Sequence, residues 1–303
     1  MLITKKIRLK PTTEQEILFR KSAGVSRWAY NFFLGENERI YREYIDNGKV
    51  GKKSISEGDV RKYINNILKP TTHSWLKEVG SNVMKQGVKD ASLALQRYFK
   101  GLSGKPKFKS KHKDRPSFYV NYESLSRKQG GFQGEKIGFV KTSEALPKLN
   151  KNEKYSNPRI TFDGKYWYLS VGYEVQESTV ELTDESLGID LGVKDLAICS
   201  NGKVYKNINK TQRVKKLEKK LKREQRKLSR KIENNIQSYK SNRNPIYKRP
   251  LKECQNIQKQ NRLIRNIHRK LANIRQNHLH QTTTEIVKTK PSRIVMESLN
   301  VSG

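Results

Sequence analysis

Cysteine is almost missing from this 303-residue chain: Cys199 and Cys254 stand far apart, and neither lies in a CxxC pair. That excludes a cysteine-rich zinc ribbon within these residues and a disulfide framework, so no zinc is expected. Acidic residues are scarce as well, 29 Asp and Glu against 64 Lys and Arg, which leaves a formal net charge of +35. Long uncharged apolar runs are lacking, and the opening Met1–Lys6 has no apolar core of a signal peptide. A membrane partner is therefore not expected, and the chain reads as a cytoplasmic protein associated with cellular DNA. The five histidines show no metal-ligand spacing; His278 and His280 are two apart and would point to different faces of a helix.

What is present is positive charge spread over most of the length. Excess charge on this scale repels itself and disfavours a compact state unless a polyanion lies nearby. Nucleic acid is the polyanion that fits.

Residues 2–10 read as a strand. Thr12 or Thr13 caps a following helix that carries acids in its first turn. A second helix from Ser81 places Met84, Val88, Ala91, Leu95 and Phe99 on one stripe. Residues 11–103 thus form a helical lobe. Short β-like runs follow at 117–120, 136–140, 159–162 and 166–171, the last two joined by an Asp163-Gly164 tight turn of the type-I′ kind. The predicted β-rich unit is 1–10 with 104–180, the helical lobe being inserted between its parts.

From residue 181 the order changes to a three-strand meander through Asp190, Cys199 and Tyr205. Two basic helices at about 210–233 and 253–280 come next, separated by an Asn/Pro-rich turn, and Arg293–Glu297 makes a final strand. The helices carry a/d seams, Val214, Leu217, Leu221 and Leu228 in one and Ile257, Ile264, Ile267, Leu271 and Ile274 in the other, so a homodimeric coiled coil is an alternative use of them. If the fourth strand runs beside the first, Asp190 and Glu297 converge at one sheet edge. Two carboxylates there suit Mg²⁺ or Mn²⁺, because hard cations prefer oxygen ligands and can activate water for phosphodiester cleavage. Each acid alone reads equally as a turn acceptor or a solvated strand end.

The candidate nucleic-acid contacts are basic. Arg213, Lys216, Lys220, Arg223, Arg226, Lys227 and Arg230 dominate the first long helix, and between Arg213 and Arg230 only Glu218 and Glu224 stand against them. A solvated helix face normally alternates sign, and this one does not. Lys105, Lys107, Lys109 and Lys111 alternate along an extended, proline-containing stretch, with Phe108 placed to stack a base or to anchor the loop. Arg27 precedes an aromatic cluster in which Trp28 reads as packing.

Four stretches, Ser26–Asn31, Gly104–Lys111, Gly188–Lys194 and Ile294–Val301, resemble the TnpB (OrfB) family of insertion-sequence proteins, compact relatives of type V CRISPR effectors. The resemblance covers essentially the whole chain, and the motifs stand in the family's order. It implies an α+β, multidomain fold: a split β-barrel wedge domain with an inserted helical lobe, then an RNase H-like RuvC domain, 181–303, carrying a basic helical hairpin, 210–280. It implies a guide RNA encoded by the element, target double-stranded DNA, and metal-dependent cleavage, with Asp190 and Glu297 mapping onto the first two catalytic carboxylates. The family continues past the second acid with a zinc ribbon and a third catalytic Asp. With only Ser298–Gly303 following Glu297, the expectation is an incomplete, cleavage-deficient RuvC domain that holds its metal weakly. A separate C-terminal segment acting in trans would complete it. The alternative is an RNA-guided or RNA-bound DNA-binding protein that occupies its target without cutting.

Overall fold

The computed structural model describes every residue except 112, 151–152, 177–179 and 298–303. Ser298–Val301 of the fourth motif therefore lie outside the described residues. The chain divides into two compact units, Met1–Glu177 and Ser178–Gly303.

In the first unit, β1 (Leu2–Lys10) leads to a 34-residue helix, α1 (Thr13–Asp46). Thr12 caps it as expected: its hydroxyl accepts from Gln15 N–H at 3.3 Å, and the Gln15 side chain accepts in return from Thr12 N–H at 3.1 Å. Gln15 Nε2 also donates to the Phe139 carbonyl at 2.7 Å, which fastens the helix start to the sheet. Short helical pieces follow, α2 (Glu57–Tyr63), a wider π turn (Ile64–Leu68), α3 (Lys69–Thr71) and a 3₁₀ turn (Ser74–Glu78), then α4 (Ser81–Phe99).

Helices α1 and α4 approach closely at Gly87, where an added Cβ would lie 2.7 Å from the Ser26 carbonyl oxygen and 2.9 Å from Ala29 Cβ. Met84, Val88 and Ala91 are buried on this face, whereas Phe99, assigned to the stripe by spacing, is 76% exposed on the last turn.

Strands β2 (Ser117–Tyr119), β3 (Ser126–Lys128), β4 (Gly131–Gly134), β5 (Gly138–Thr142), β6 (Ser156–Phe162) and β7 (Trp167–Glu174) join β1 in one antiparallel sheet, ordered β2-β6-β7-β1-β5-β4-β3. The opening strand is central: Leu2–Arg8 pair with β7, and Leu9–Lys10 pair with β5. Among the described residues the expected barrel is not closed. β2 and β3 are three-residue ends, and β3, Ser-Arg-Lys, is exposed throughout. Short charged edges of that kind discourage further pairing. The Asp163-Gly164 turn also differs from expectation. It is a four-residue loop in which Asp163 Oδ1 accepts from the N–H groups of Lys165 and Tyr166 (2.8 and 2.7 Å), and Gly164 alone takes a positive φ.

Phe19 of α1 packs against Phe118 and Trp167, with ring centroids 5.7 and 5.2 Å apart. The inserted helices and the sheet thus share one core, and each such buried ring contributes roughly 1.5–3 kcal/mol.

The second unit contains β8 (Thr183–Leu191), β9 (Asp195–Cys199), β10 (Val204–Lys206), α5 (Gln212–Glu233), α6 (Gln255–Lys288) and β13 (Pro291–Met296). The sheet order is β10-β9-β8-β13, with the meander antiparallel and β13 parallel to β8. The connection expected as a plain turn carries a small hairpin, β11 (Ile236–Tyr239) with β12 (Pro245–Tyr247), turned by Arg243 at φ 61°. The a/d seams of α5 and α6 meet each other: Val214, Ile267 and Leu271 are buried, flanked by Leu217, Leu221 and Ile274. They are filled within one chain, which removes the reason to invoke a homodimeric coiled coil. Glu224 occupies a seam position as well, buried, with its carboxylate accepting from Gln260 Nε2 at 2.9 Å.

Candidate nucleic-acid and metal site

Along β8, Leu187 and Ile189 turn into the core while Asp190 lies on the exposed side of the alternation. The parallel register pairs Ile189 with Met296, so Asp190 and Glu297 are the next residues on adjacent strands, at the ends where both strands finish. Both are exposed, and neither has an ion pair among the described residues. Their oxygen donors fit a hard divalent cation. No group of three or more His, Cys, Asp or Glu able to hold a metal occurs among the described residues. Cys199 is buried in β9, and Cys254 stands at the start of α6. His278 shares a 2.9 Å hydrogen bond with the Lys206 carbonyl.

The basic helix α5 presents its cations outward. Arg213, Lys216, Lys220, Arg223, Arg226, Lys227 and Arg230 are all exposed. Of its three acids, Glu218 pairs with Arg275 of α6 at 2.8 Å, Glu224 is buried, and Glu233 is exposed at the last position of the helix. Arg223 and Lys227 touch the Glu224 carboxylate at 3.4 and 3.2 Å, while Lys231 reaches Gln260 Oε1 at 3.0 Å. The hydrogen bond from Gln260, then those from Lys227 and Arg223, hold the Glu224 carboxyl below the usual carboxylate range, burial opposing them. Arg213, Lys216, Lys220, Arg226 and Arg230 have no ion pair among the described residues. Such a face fits a polyphosphate backbone.

The Lys105–Lys111 loop, in the first unit, divides. Lys107 and Lys111 are exposed, and Lys105 is exposed but pairs with Glu38 at 3.3 Å. Lys109 is half-buried with its ammonium 3.7 Å from the centroid of the Tyr30 ring, and burial lowers its pKa. Its charge faces the protein rather than solvent, unlike the role its place in the lysine alternation suggests. Phe108, equally able by sequence to stack or to anchor, is 52% exposed. Arg27 is half-buried on α1; Trp28 packs against Phe32, His73 and Trp75, as a packing residue should. Sequence reasoning passes over Asn31, whose side chain holds the loop, and Gln260, the partner of Glu224. A polar amide in the middle of an otherwise apolar helix face is the available signal for both.

The family described as "Probable transposase" (OrfB_IS605) matches residues 170–303, which include both carboxylates and the α5–α6 hairpin. The family described as "Helix-turn-helix domain" (HTH_OrfB_IS605) matches residues 1–46, which here form β1 and one uninterrupted helix. The chain is 30% identical over 301 residues to "Putative RNA-guided DNA endonuclease InsQ" of Escherichia coli (strain K12). It is 23% identical over 302 residues to "Putative RNA-guided DNA endonuclease" of Streptomyces pristinaespiralis. In both cases 98% of this chain is covered, and the chain spans 66% of the relative's length. Among solved structures, a Cas12f1–sgRNA–target DNA complex is similar at TM-score 0.48 and 13% identity, over 99% of this chain and 81% of that one. A CRISPR-Cas12f ternary complex is similar at TM-score 0.34 and 16% identity, over 95% and 64%. No helix among the described residues is long and apolar enough to cross a membrane.

Proposed function

The chain belongs to the TnpB (OrfB) family of insertion-sequence proteins, and from that premise we propose that it acts in RNA-guided DNA cleavage, with a guide RNA encoded by the element and double-stranded DNA as target. The observation that carries this reading is the placement of Asp190 and Glu297 at the ends of adjacent parallel strands. In this reading they hold Mg²⁺ or Mn²⁺ at the end of an RNase H-like RuvC sheet. A divalent cation bound there supplies charge neutralisation at the scissile phosphate and lowers the pKa of attacking water. The protein's part is to fix the two carboxylates on strand ends, where the backbone hydrogen bonding of the sheet limits their movement. Outward cations of α5 hold the nucleic-acid backbone while the cut is made. The first unit serves as wedge domain and recognition lobe.

Two carboxylates hold an ion more weakly than three. A further carboxylate brought beside the pair is therefore expected to raise the rate of cleavage with guide RNA and Mg²⁺. Asp190→Ala should abolish whatever cleavage is measured while leaving thermal stability and RNA affinity unchanged, because Asp190 is exposed and without an ion pair among the described residues. Cleavage that survives Asp190→Ala would remove this carboxylate from the chemistry.

A second reading is RNA-guided occupancy of DNA without cutting, for which the exposed cationic face of α5 is the supporting observation. Guide-dependent target binding that is equal in Mg²⁺ and in EDTA, with no cut product, would support it.

A further inference from the structure

Between α4 and β2 the described residues form neither helix nor strand, yet the centre of this segment is held firmly. Asn31, well inside α1, donates through Nδ2 to the Lys109 carbonyl and accepts at Oδ1 from Lys109 N–H, both at 2.8 Å. One side-chain amide thus satisfies both backbone groups of one loop residue, as a neighbouring strand would. The Lys109 ammonium lies over the Tyr30 ring, the next residue back on the same helix. On the far side, Asp114 closes the turn, its carboxylate accepting from Ser110 N–H and its own N–H donating to the Ser110 carbonyl at 3.0 Å. The residues flanking the anchor stay accessible: Lys107 and Lys111 are exposed, and the Phe108 ring is 52% exposed, with one edge 4.0 Å from where a Cβ at Gly35 of α1 would stand.

A loop clamped at its centre has already lost the conformational freedom that binding would otherwise remove, so its exposed side chains are preorganised. An exposed aromatic ring with lysines on both sides matches the chemistry of a single strand, whose bases offer flat faces at intervals between phosphates. We infer that this loop is a preformed site for single-stranded nucleic acid in which Phe108 stacks on a base, Lys107 and Lys111 contact flanking phosphates, and Asn31 and Tyr30 are positioning residues. The inference rests on the nucleic-acid reading above and deepens it. A duplex, whose bases are stacked internally, offers Phe108 nothing comparable.

The test uses the whole chain with a labelled single-stranded RNA, the DNA of the same sequence, and the corresponding duplex. Phe108→Ala should weaken single-strand binding roughly tenfold, leaving duplex binding and the salt slope unchanged, because stacking releases no counterions. Replacing Lys107 and Lys111 with Gln should flatten the single-strand salt slope by about 0.7 per lysine. Asn31→Ala should both weaken binding and flatten that slope, with faster amide exchange confined to residues 107–111. Phe108 lies at the surface, so its variant remains informative should Asn31→Ala fail to fold. Preference for RNA assigns the site to the guide, preference for DNA to a separated target strand, and either outcome supports it. Single-strand affinity unaffected by Phe108→Ala, or lost equally for the duplex, overturns the inference while the proposed function stands. If the unaltered protein binds no nucleic acid, both fall.

Discussion

Gly87 is the residue on which the helical part of the first unit turns. Glycine inside a helix forfeits about 1 kcal/mol relative to alanine, so its presence in α4 needs a reason. The reason is the Ser26 carbonyl, 2.7 Å from where a Cβ would stand. Gly87→Ala should therefore destabilise the protein despite the better propensity, by about 1–3 kcal/mol as overpacking does, measured by urea unfolding. A gain in stability would mean that α1 and α4 can move apart freely. Glu224 is a different kind of internal residue, a carboxylate in an apolar seam. Its folded-state pKa lies below the ordinary 4.5, so its contribution to stability is present above that value and is lost as pH falls through the folded pKa. The α5–α6 hairpin should loosen in acid below about 4.5. Glu224→Gln, which keeps a hydrogen-bonding oxygen toward Gln260, should remove that part of the pH dependence of unfolding. An identical acid profile in the variant would place the pH sensitivity elsewhere.

At the level of elements, legibility follows the length over which a pattern repeats. Helices α5 and α6 are readable because their apolar seams recur over several turns, and β13 because a lone apolar run follows a helix stop at Pro291. The pairing of β13 with β8 follows from the order of elements, and the convergence of the two acids with it. Strands β3 and β4 are not readable, since Ser-Arg-Lys and a glycine-bounded tetrapeptide carry no alternation, although each pairs with its neighbour in sequence, β3 with β4 and β4 with β5. Phe99 misleads for a similar reason: spacing gives a face, but only the neighbouring elements decide where that face stops being covered. The basic face of α5 is legible as composition, while the inward turn of Glu218 and Glu224 is not, because it depends on Arg275 and Gln260 of the other helix. That inward turn makes a sharp expectation possible. Replacing Arg213, Arg226 and Arg230 with Gln should leave the melting temperature nearly unchanged, because they have no ion pairs among the described residues. It should flatten the salt dependence of duplex binding by about 0.9 for each phosphate no longer neutralised. A lowered melting temperature with an unchanged slope would make the face structural.

For the molecule as a whole, the governing quantity is the charge of +35. Each unit folds around its own apolar core, so the excess cations are not needed to build either one. They raise the electrostatic energy of the folded protein, and a bound polyanion relieves that energy. Two consequences can be measured together. The protein should purify with nucleic acid at low ionic strength and release it as salt rises. Its affinity for RNA should fall by about 10³–10⁵ between 50 and 200 mM salt if roughly six to ten phosphates are neutralised. Bound RNA should also raise the unfolding temperature, by mass action on the folded state, and this gain should shrink along the same salt series as the affinity. The two curves must move together, because both report occupancy of the same cationic surface. A stabilisation by RNA that persists after affinity has been abolished by salt would separate them, and so would salt-independent binding. Either result would show that the positive charge of this chain is not what holds its partner.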